Sequence, residues 1–137
     1  MTRMDSTAAS VNYGVYFSYA HNCWISGVEI NKTIGAEVFA EVSNHLTFTG
    51  NYFHDAYLYD GTSTSGYGVA LAVHTGACLV ENNIFKHLRH AMMVKQGANG
   101  NVFAYNYSLQ PNRSEPINHH VLHNVSFKQI CKRKMPV

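Results

Sequence analysis

Apolar residues in this chain come in short bursts, each bounded by Gly, Asn, Ser or Thr, and no stretch of useful length has the spacing of an amphipathic helix. Four bursts share one pattern: Ile25-Ser-Gly-Val-Glu-Ile30, Phe48-Thr-Gly-Asn-Tyr-Phe53, Val80-Glu-Asn-Asn-Ile-Phe85 and Phe103-Ala-Tyr-Asn-Tyr-Ser108. Anchored on Ile25, Phe48, Val80 and Phe103, the steps are 23, 32 and 23 residues. A second column lies upstream, at Val15-Tyr16-Phe17, Val38-Phe39-Ala40, Ala70-Leu71-Ala72 and Met93-Val94-Lys95. Each copy therefore predicts two or three short β-strands punctuated by turns. A period of this length means one supersecondary turn per copy, its apolar face buried on its neighbours. Leucine-rich repeats would need regular leucines, and propeller blades run longer. A coil of parallel strands is the solution that fits.

Within the pattern, Asn51, Asn83 and Asn106 fall in one slot, which Val28 takes in the first copy. Asparagine repeated at a bend can hydrogen-bond the amide stacked beside it and the local backbone, which predicts a ladder along the solenoid. The residue just before the slot is Gly27, Gly50, Asn82 or Tyr105. Three of these four types adopt positive φ at little cost, as a recurring sharp bend requires.

Composition fits this picture. Hydrophobic residues make up 46% of 137, enough for the core of one domain. Charged residues make up only 13%, about half the usual share, so the surface is polar through Asn, Ser, Thr, Gly, Tyr and His. Net charge is +2, and much of the excess sits in Lys128, Lys132, Arg133 and Lys134, leaving a near-neutral body with no basis for nucleic-acid binding. There is no apolar run long enough to span a membrane. Nor does an apolar segment follow the charge in Met1-Thr-Arg-Met-Asp5, so the chain shows no signal peptide. Cys23 and Cys78 share a column with Leu46 between them. Two steps of ~4.8 Å put them roughly 10 Å apart, beyond the ~7 Å that a disulfide tolerates. Both read as small buried hydrophobes.

With the asparagine column, His45-Leu-Thr-Phe-Thr-Gly-Asn-Tyr-Phe53 and Asn99-Gly-Asn-Val-Phe-Ala-Tyr-Asn-Tyr-Ser108 on the page, the chain resembles the right-handed parallel β-helix proteins of the pectate-lyase-like superfamily over about residues 12 to 110. The resemblance implies an all-β right-handed parallel β-helix of about four coils, forming a single domain across residues 1–137 with an irregular segment from 111 to 137. It also implies a polysaccharide or oligosaccharide partner and a secreted, periplasmic or cell-surface parent protein. Activities within such a superfamily differ, so chemistry has to be argued from the site.

Two departures from the regular coil stand out. The long step carries about nine extra residues, placed in Asp55-Ala-Tyr-Leu-Tyr-Asp-Gly-Thr-Ser-Thr-Ser-Gly-Tyr67, and insertions on solenoids form loops on one face, often the binding face. Beyond Ser108 the pattern decays: Leu122-His-Asn-Val-Ser-Phe127 echoes it, but Cys131-Lys-Arg-Lys-Met-Pro-Val137 is foreign to a stacked coil. Neither end reads as a capping helix, so the expectation is a fragment of a longer solenoid, with a shifted reading frame near its end and a tendency to associate edge to edge.

Register also brings distant residues together. Neighbouring columns lie ~5 Å apart, so His54 is expected beside Lys86, and Asp55 beside His87. A histidine oriented by an aspartate is the arrangement a general base needs near neutral pH. Arg89 and His90 follow at once, and the insertion supplies Tyr57, Tyr59, Asp60 and Tyr67, acids and rings suited to holding a sugar. Against this stands the polarity of all β-helix turns, where nine histidines meet carboxylates by chance. Lys95, in Val94-Lys-Gln-Gly97, looks like the catalytic lysine of alginate-lyase and chondroitinase-B-like β-helices, which implies Lys95 as base and Arg89 or Arg113 as helper. Those families mask the uronate carboxylate with calcium. Here no Asp or Glu lies between Glu81 and Glu115, so the acidic calcium ligands are not evident and no cofactor is expected. His87-Leu-Arg-His90 and His120-Val-Leu-His123 lack the helix that zinc ligands at this spacing need. The expected site is thus His54, Asp55, His87, Arg89, His90 and Lys95 for catalysis, with Tyr57, Tyr59, Asp60 and Tyr67 for substrate. Two readings stand: a carbohydrate-active β-helix of polysaccharide-lyase type, and a non-catalytic structural or glycan-binding segment of a larger protein.

Overall fold

The computed structural model describes residues 12–58 and 65–110. The first coil holds β1 (Tyr13–Ser18), β2 (Trp24–Ser26) and β3 (Glu29–Asn31), and the second holds β4 (Ala36–Glu41), β5 (Thr47–Thr49) and β6 (Tyr52–His54). The third holds β7 (Tyr67–Ala72), β8 (Leu79–Glu81) and β9 (Ile84–Lys86), and the fourth β10 (His90–Val94), β11 (Val102–Ala104) and β12 (Tyr107–Leu109). They form three four-stranded parallel sheets: β1-β4-β7-β10, β2-β5-β8-β11 and β3-β6-β9-β12. Every strand pairs with its counterpart one coil away, which makes the molecule a parallel β-helix.

The anchors of the repeat face inward as one stack. Ile25, Phe48, Val80 and Phe103 are in register across the second sheet, and all are buried. Ile30, Phe53 and Phe85 form a parallel stack behind the third sheet, and Val38 and Val69 another behind the first. Fully burying such side chains contributes ~1.5–3 kcal/mol each. Alternation sends their neighbours outward, so Trp24 is 74% exposed and Val102 50%.

Between the second and third sheets the asparagine ladder forms as expected. Asn83 Oδ1 accepts from the backbone amide of Asn51 at 3.0 Å and from Asn51 Nδ2 at 2.9 Å. Asn83 Nδ2 donates to the Phe48 carbonyl at 2.9 Å and to Asn106 Oδ1 at 3.0 Å. Asn51 serves the first coil in the same way, taking the Val28 amide at 3.1 Å and giving to the Ile25 carbonyl at 3.1 Å. Gly27, Gly50, Asn82 and Tyr105 all hold φ between 54° and 66°. A second amide, Asn101, seals the turn between the first two sheets: its Oδ1 accepts from Cys78 N at 3.0 Å and its Nδ2 donates to the Thr75 carbonyl at 3.1 Å. Cys78 is buried, Cys23 partly so, and both thiols are free.

Register corrects the sequence in one detail. Val15 and Val38 stack on Val69 and Met92, not on Ala70 and Met93. The cause is one extra residue in the turn after β7 and again after β10, where Thr75 N donates to Ala72 O at 3.1 Å and Ala98 N to Lys95 O at 3.3 Å. The long step is 31 residues from Val38 to Val69 but 32 from Phe48 to Val80. One residue of the extra length therefore belongs to the turn after β7, and the rest lies between β6 and β7. Tyr59 and Asp60 of that insertion lie outside the described residues, as does the whole of 111–137 with Arg113, the Leu122–Phe127 echo and the basic tail.

One core position is polar. Glu37 is fully buried, and its column neighbours in strands β1 and β7 are Gly14 and Gly68. A Cβ at Gly14 would come within 2.5 Å of Ile30 Cγ2, and one at Gly68 within 2.3 Å of Ala91 O, so both must be glycine. Neither Glu37 oxygen makes a hydrogen bond, nor does the hydroxyl of nearby Thr33. Burial pushes the carboxyl up to about 8, and the Thr33 hydroxyl and amide moderate the rise without reaching bonding geometry.

Two predictions follow from this packing. Asn83→Ala removes four bonds at a site 1% exposed and should lower unfolding free energy in urea by about 3 kcal/mol; a loss under ~1 kcal/mol would show that the ladder is incidental. For Glu37 the folded pKa is raised, so its contribution is complete below the unfolded value of 4.5 and is lost as pH rises through about 8. Glu37→Gln should therefore flatten the decline of stability across that window by a few kcal/mol, and an unchanged slope in melts would refute the assignment.

Candidate functional site

The third sheet ends in a column of bends. Lys32, Asp55, His87 and Gln110 each follow a strand of that sheet, and all have φ between 48° and 57°. The ladder runs on through them, with Asp55 N donating to Lys86 O at 3.0 Å and Lys32 N to Asp55 O at 3.2 Å. Pairing of β6 with β9 sets His54 beside Lys86, and the next position sets Asp55 beside His87. The insertion starts after Asp55, so it leaves this register intact.

Asp55 is the centre of the cluster. Its Oδ2 lies 2.7 Å from His54 Nδ1 and its Oδ1 2.8 Å from His87 Nδ1. His54 Nε2 in turn lies 2.8 Å from Glu29 Oε1, one coil away, and Tyr52 stacks on the His54 ring at 4.1 Å. With a proton on each nitrogen, His54 donates to both carboxylates. Burial raises the Asp55 carboxyl, but the hydrogen bonds and charges of His54 and His87 outweigh it and hold the group below its usual range. The His54 hydrogen bond does the same for Glu29. The contact of its Nδ1 with Asp55 Oδ1 fixes the orientation of the His87 ring, on a side chain 42% exposed.

The remaining expected residues stand elsewhere. Arg89, 4% exposed, turns inward: its Nη1 donates to the Tyr67 hydroxyl at 3.0 Å and its guanidinium lies over the Tyr67 ring at 5.8 Å. Burial raises the Tyr67 phenol, and the Arg89 charge opposes that rise. Tyr67 is itself 6% exposed, so it does not offer the open sugar contact expected of it, and Arg89, expected in catalysis, is engaged inside the fold. His90 stacks on Tyr67 at 5.7 Å on the outer face of the first sheet, just around the corner from Asp55. Tyr57 is half-buried at the start of the insertion. Lys95 follows β10 at the opposite edge of the first sheet, with its ammonium 5.7 Å from the Phe39 ring centre. Five residues of strand separate it from His90, roughly 16 Å at ~3.3 Å each.

Sequence reasoning missed Glu29. It sits two positions before Asn31 in β3, on the outward side, and Tyr52 is its partner in β6. Extending the column comparison by one more alternating position would have found it. Among the described residues, no group of three or more His, Cys, Asp or Glu side chains is placed to hold a metal ion. Glu29 and Asp55, the two acids of the corner, are joined through His54.

Stacked parallel sheets with an amide ladder define the class of the fold as a parallel β-helix. A family model described as "right handed beta helix region" matches residues 4–125, and the chain belongs to that family. It has no significant match among curated proteins or solved structures.

The cluster has a pH signature. Because the folded Asp55 pKa is depressed, its contribution is present above the unfolded value of 3.8 and is lost as pH falls through the folded one. Asp55→Asn should make acid-limb melts shallower, while leaving most of the decline between pH 4.5 and about 8 attributed to Glu37, to which the Asp55 charge is a minor contributor.

Proposed function

We propose that this β-helix is carbohydrate-active: it holds a linear glycan at the corner between the third and first sheets, where the Asp55–His87 pair moves a proton. The observation that carries the reading is the double engagement of Asp55 by His54 and His87 at 2.7 and 2.8 Å, beside a sheet face bearing Tyr13, Tyr16 and His90. Aromatic faces of this kind suit the apolar side of sugar rings.

A lyase reaction built on Lys95 with Arg89 as helper has less support. Arg89 is engaged by Tyr67 inside the fold, and Lys95 stands at the far edge from Asp55. The same observation favours the second reading, a non-catalytic glycan-binding segment of a larger secreted or surface protein. The resemblance to pectate-lyase-like proteins supports glycan recognition in either case.

Thermal melts with a panel of neutral and acidic oligosaccharides, followed by product analysis on any glycan that raises the midpoint, separate the two. The enzymatic reading expects turnover that His87→Ala lowers by 10²–10⁴ with the midpoint shift retained. A midpoint shift with no turnover selects the binding segment, and no shift by any glycan would falsify both.

A further inference from the structure

On the outer face of the first sheet, at the edge away from the corner, lies a second polar group that the proton-transfer site does not use. Ser18, Glu41 and Ala72 are in register, and Lys95 follows Val94 in the same column. Glu41 Oε1 accepts from the Tyr16 hydroxyl and from Ser18 Oγ, the latter at 3.4 Å. The hydrogen bond to Glu41 raises the Tyr16 phenol, keeping its proton in place. Tyr16 is nonetheless 51% exposed, and it meets Phe39 and Tyr13 at 5.8 and 5.6 Å between ring centres. Tyr19, at the turn beyond, is 81% exposed. Between Glu41 and Lys95 the column passes through Ala72, which with Ala70 is fully buried, so the accessible part of the group is Tyr16, Ser18 and Glu41.

The decisive property is hydrogen-bond polarity. Tyr16 and Ser18 have committed their protons to Glu41, so what they offer a ligand is lone pairs. Glu41 Oε2 offers another, since the described hydrogen bonds fall on Oε1. An exposed aromatic ring is thus edged by three acceptors. A ligand must bring donors to them, and sugar hydroxyls do so. A uronate carboxylate has no proton to donate and is repelled by Glu41. The local cation, Lys95, is turned onto Phe39.

We propose that Tyr16, Ser18 and Glu41 form a sugar subsite specific for a neutral, hydroxyl-rich polysaccharide and not for a polyuronate. This rests on the glycan-binding reading above and adds the substrate class and the residues that select it. It runs against the acidic glycan that the lyase resemblance implies.

Affinity electrophoresis of the full chain tests it, in gels carrying xylan, galactan or mixed-linkage glucan, or else polygalacturonate or alginate. Expected is retardation by at least one neutral polymer and by neither polyuronate, with apparent affinity falling about tenfold in Glu41→Gln and in Tyr16→Ala. Circular dichroism melts confirm that both variants are folded, and Ser18→Ala serves as a milder third if either is not. Retardation by a polyuronate alone overturns the proposal while leaving the glycan-binding reading intact. Retardation by a neutral polymer that survives all three variants overturns the subsite. Retardation by none of the five polymers overturns the proposal together with the reading beneath it.

Discussion

Each coil of this molecule is satisfied only by the next. Its strands are too short to be stable alone, and the bends between them leave amides and carbonyls that water cannot reach. Parallel pairing at ~4.8 Å answers the strands. The stacked amides of Asn51, Asn83 and Asn106 answer the sharpest bend, with Asn101 and the Ser43 hydroxyl doing so at another. Everything else is subordinate to that spacing. Like residues fall over like residues, so the core is a set of columns, and any change in loop length has to be absorbed outside the strands. The insertion after Asp55 and the extra turn residue after β7 obey this rule, since the pairs on either side stay in register.

The same constraint builds the site. Glu29, Asp55 and His87 are far apart in the chain, yet they meet because each stands at or near the end of the third sheet in successive coils. Left-handed backbone at Asp55 and His87 aims both side chains at the corner. Behind the corner sits Glu37, an acid without a hydrogen bond, whose rise is reinforced by the charge of Asp55. Surface and interior acids are therefore pushed in opposite directions within one turn, Asp55 by its histidines and Glu37 by dehydration.

The fold was largely legible in the sequence, because columns of Ile25, Phe48, Val80 and Phe103 and a repeated asparagine are periodic signals that survive without coordinates. The contact of Asp55 with His87 was legible for the same reason: it needs register alone. What register could not supply was side-chain direction. Arg89 follows His87 by two residues and reads as a surface cation, but the backbone turns there and carries it onto Tyr67. The left-handed bends at Lys32, Val42 and Ala77 carry ordinary residues and so left no mark. Glu37 was silent as well, since one acid amid apolar residues in a strand reads as an outward position until its glycine neighbours are seen to line the core.

The ladder also has a direction in time. Each asparagine reaches back, its Oδ1 accepting from an amide of the preceding coil and its Nδ2 donating to a carbonyl there. A coil leaving the ribosome thus holds an open corner until the residues of the following coil emerge. For the second coil that wait is the longest, because the inserted residues come before Asn83. A pause in synthesis within the insertion would leave the hydrophobic interior of two coils uncovered at one end, open to association with other chains.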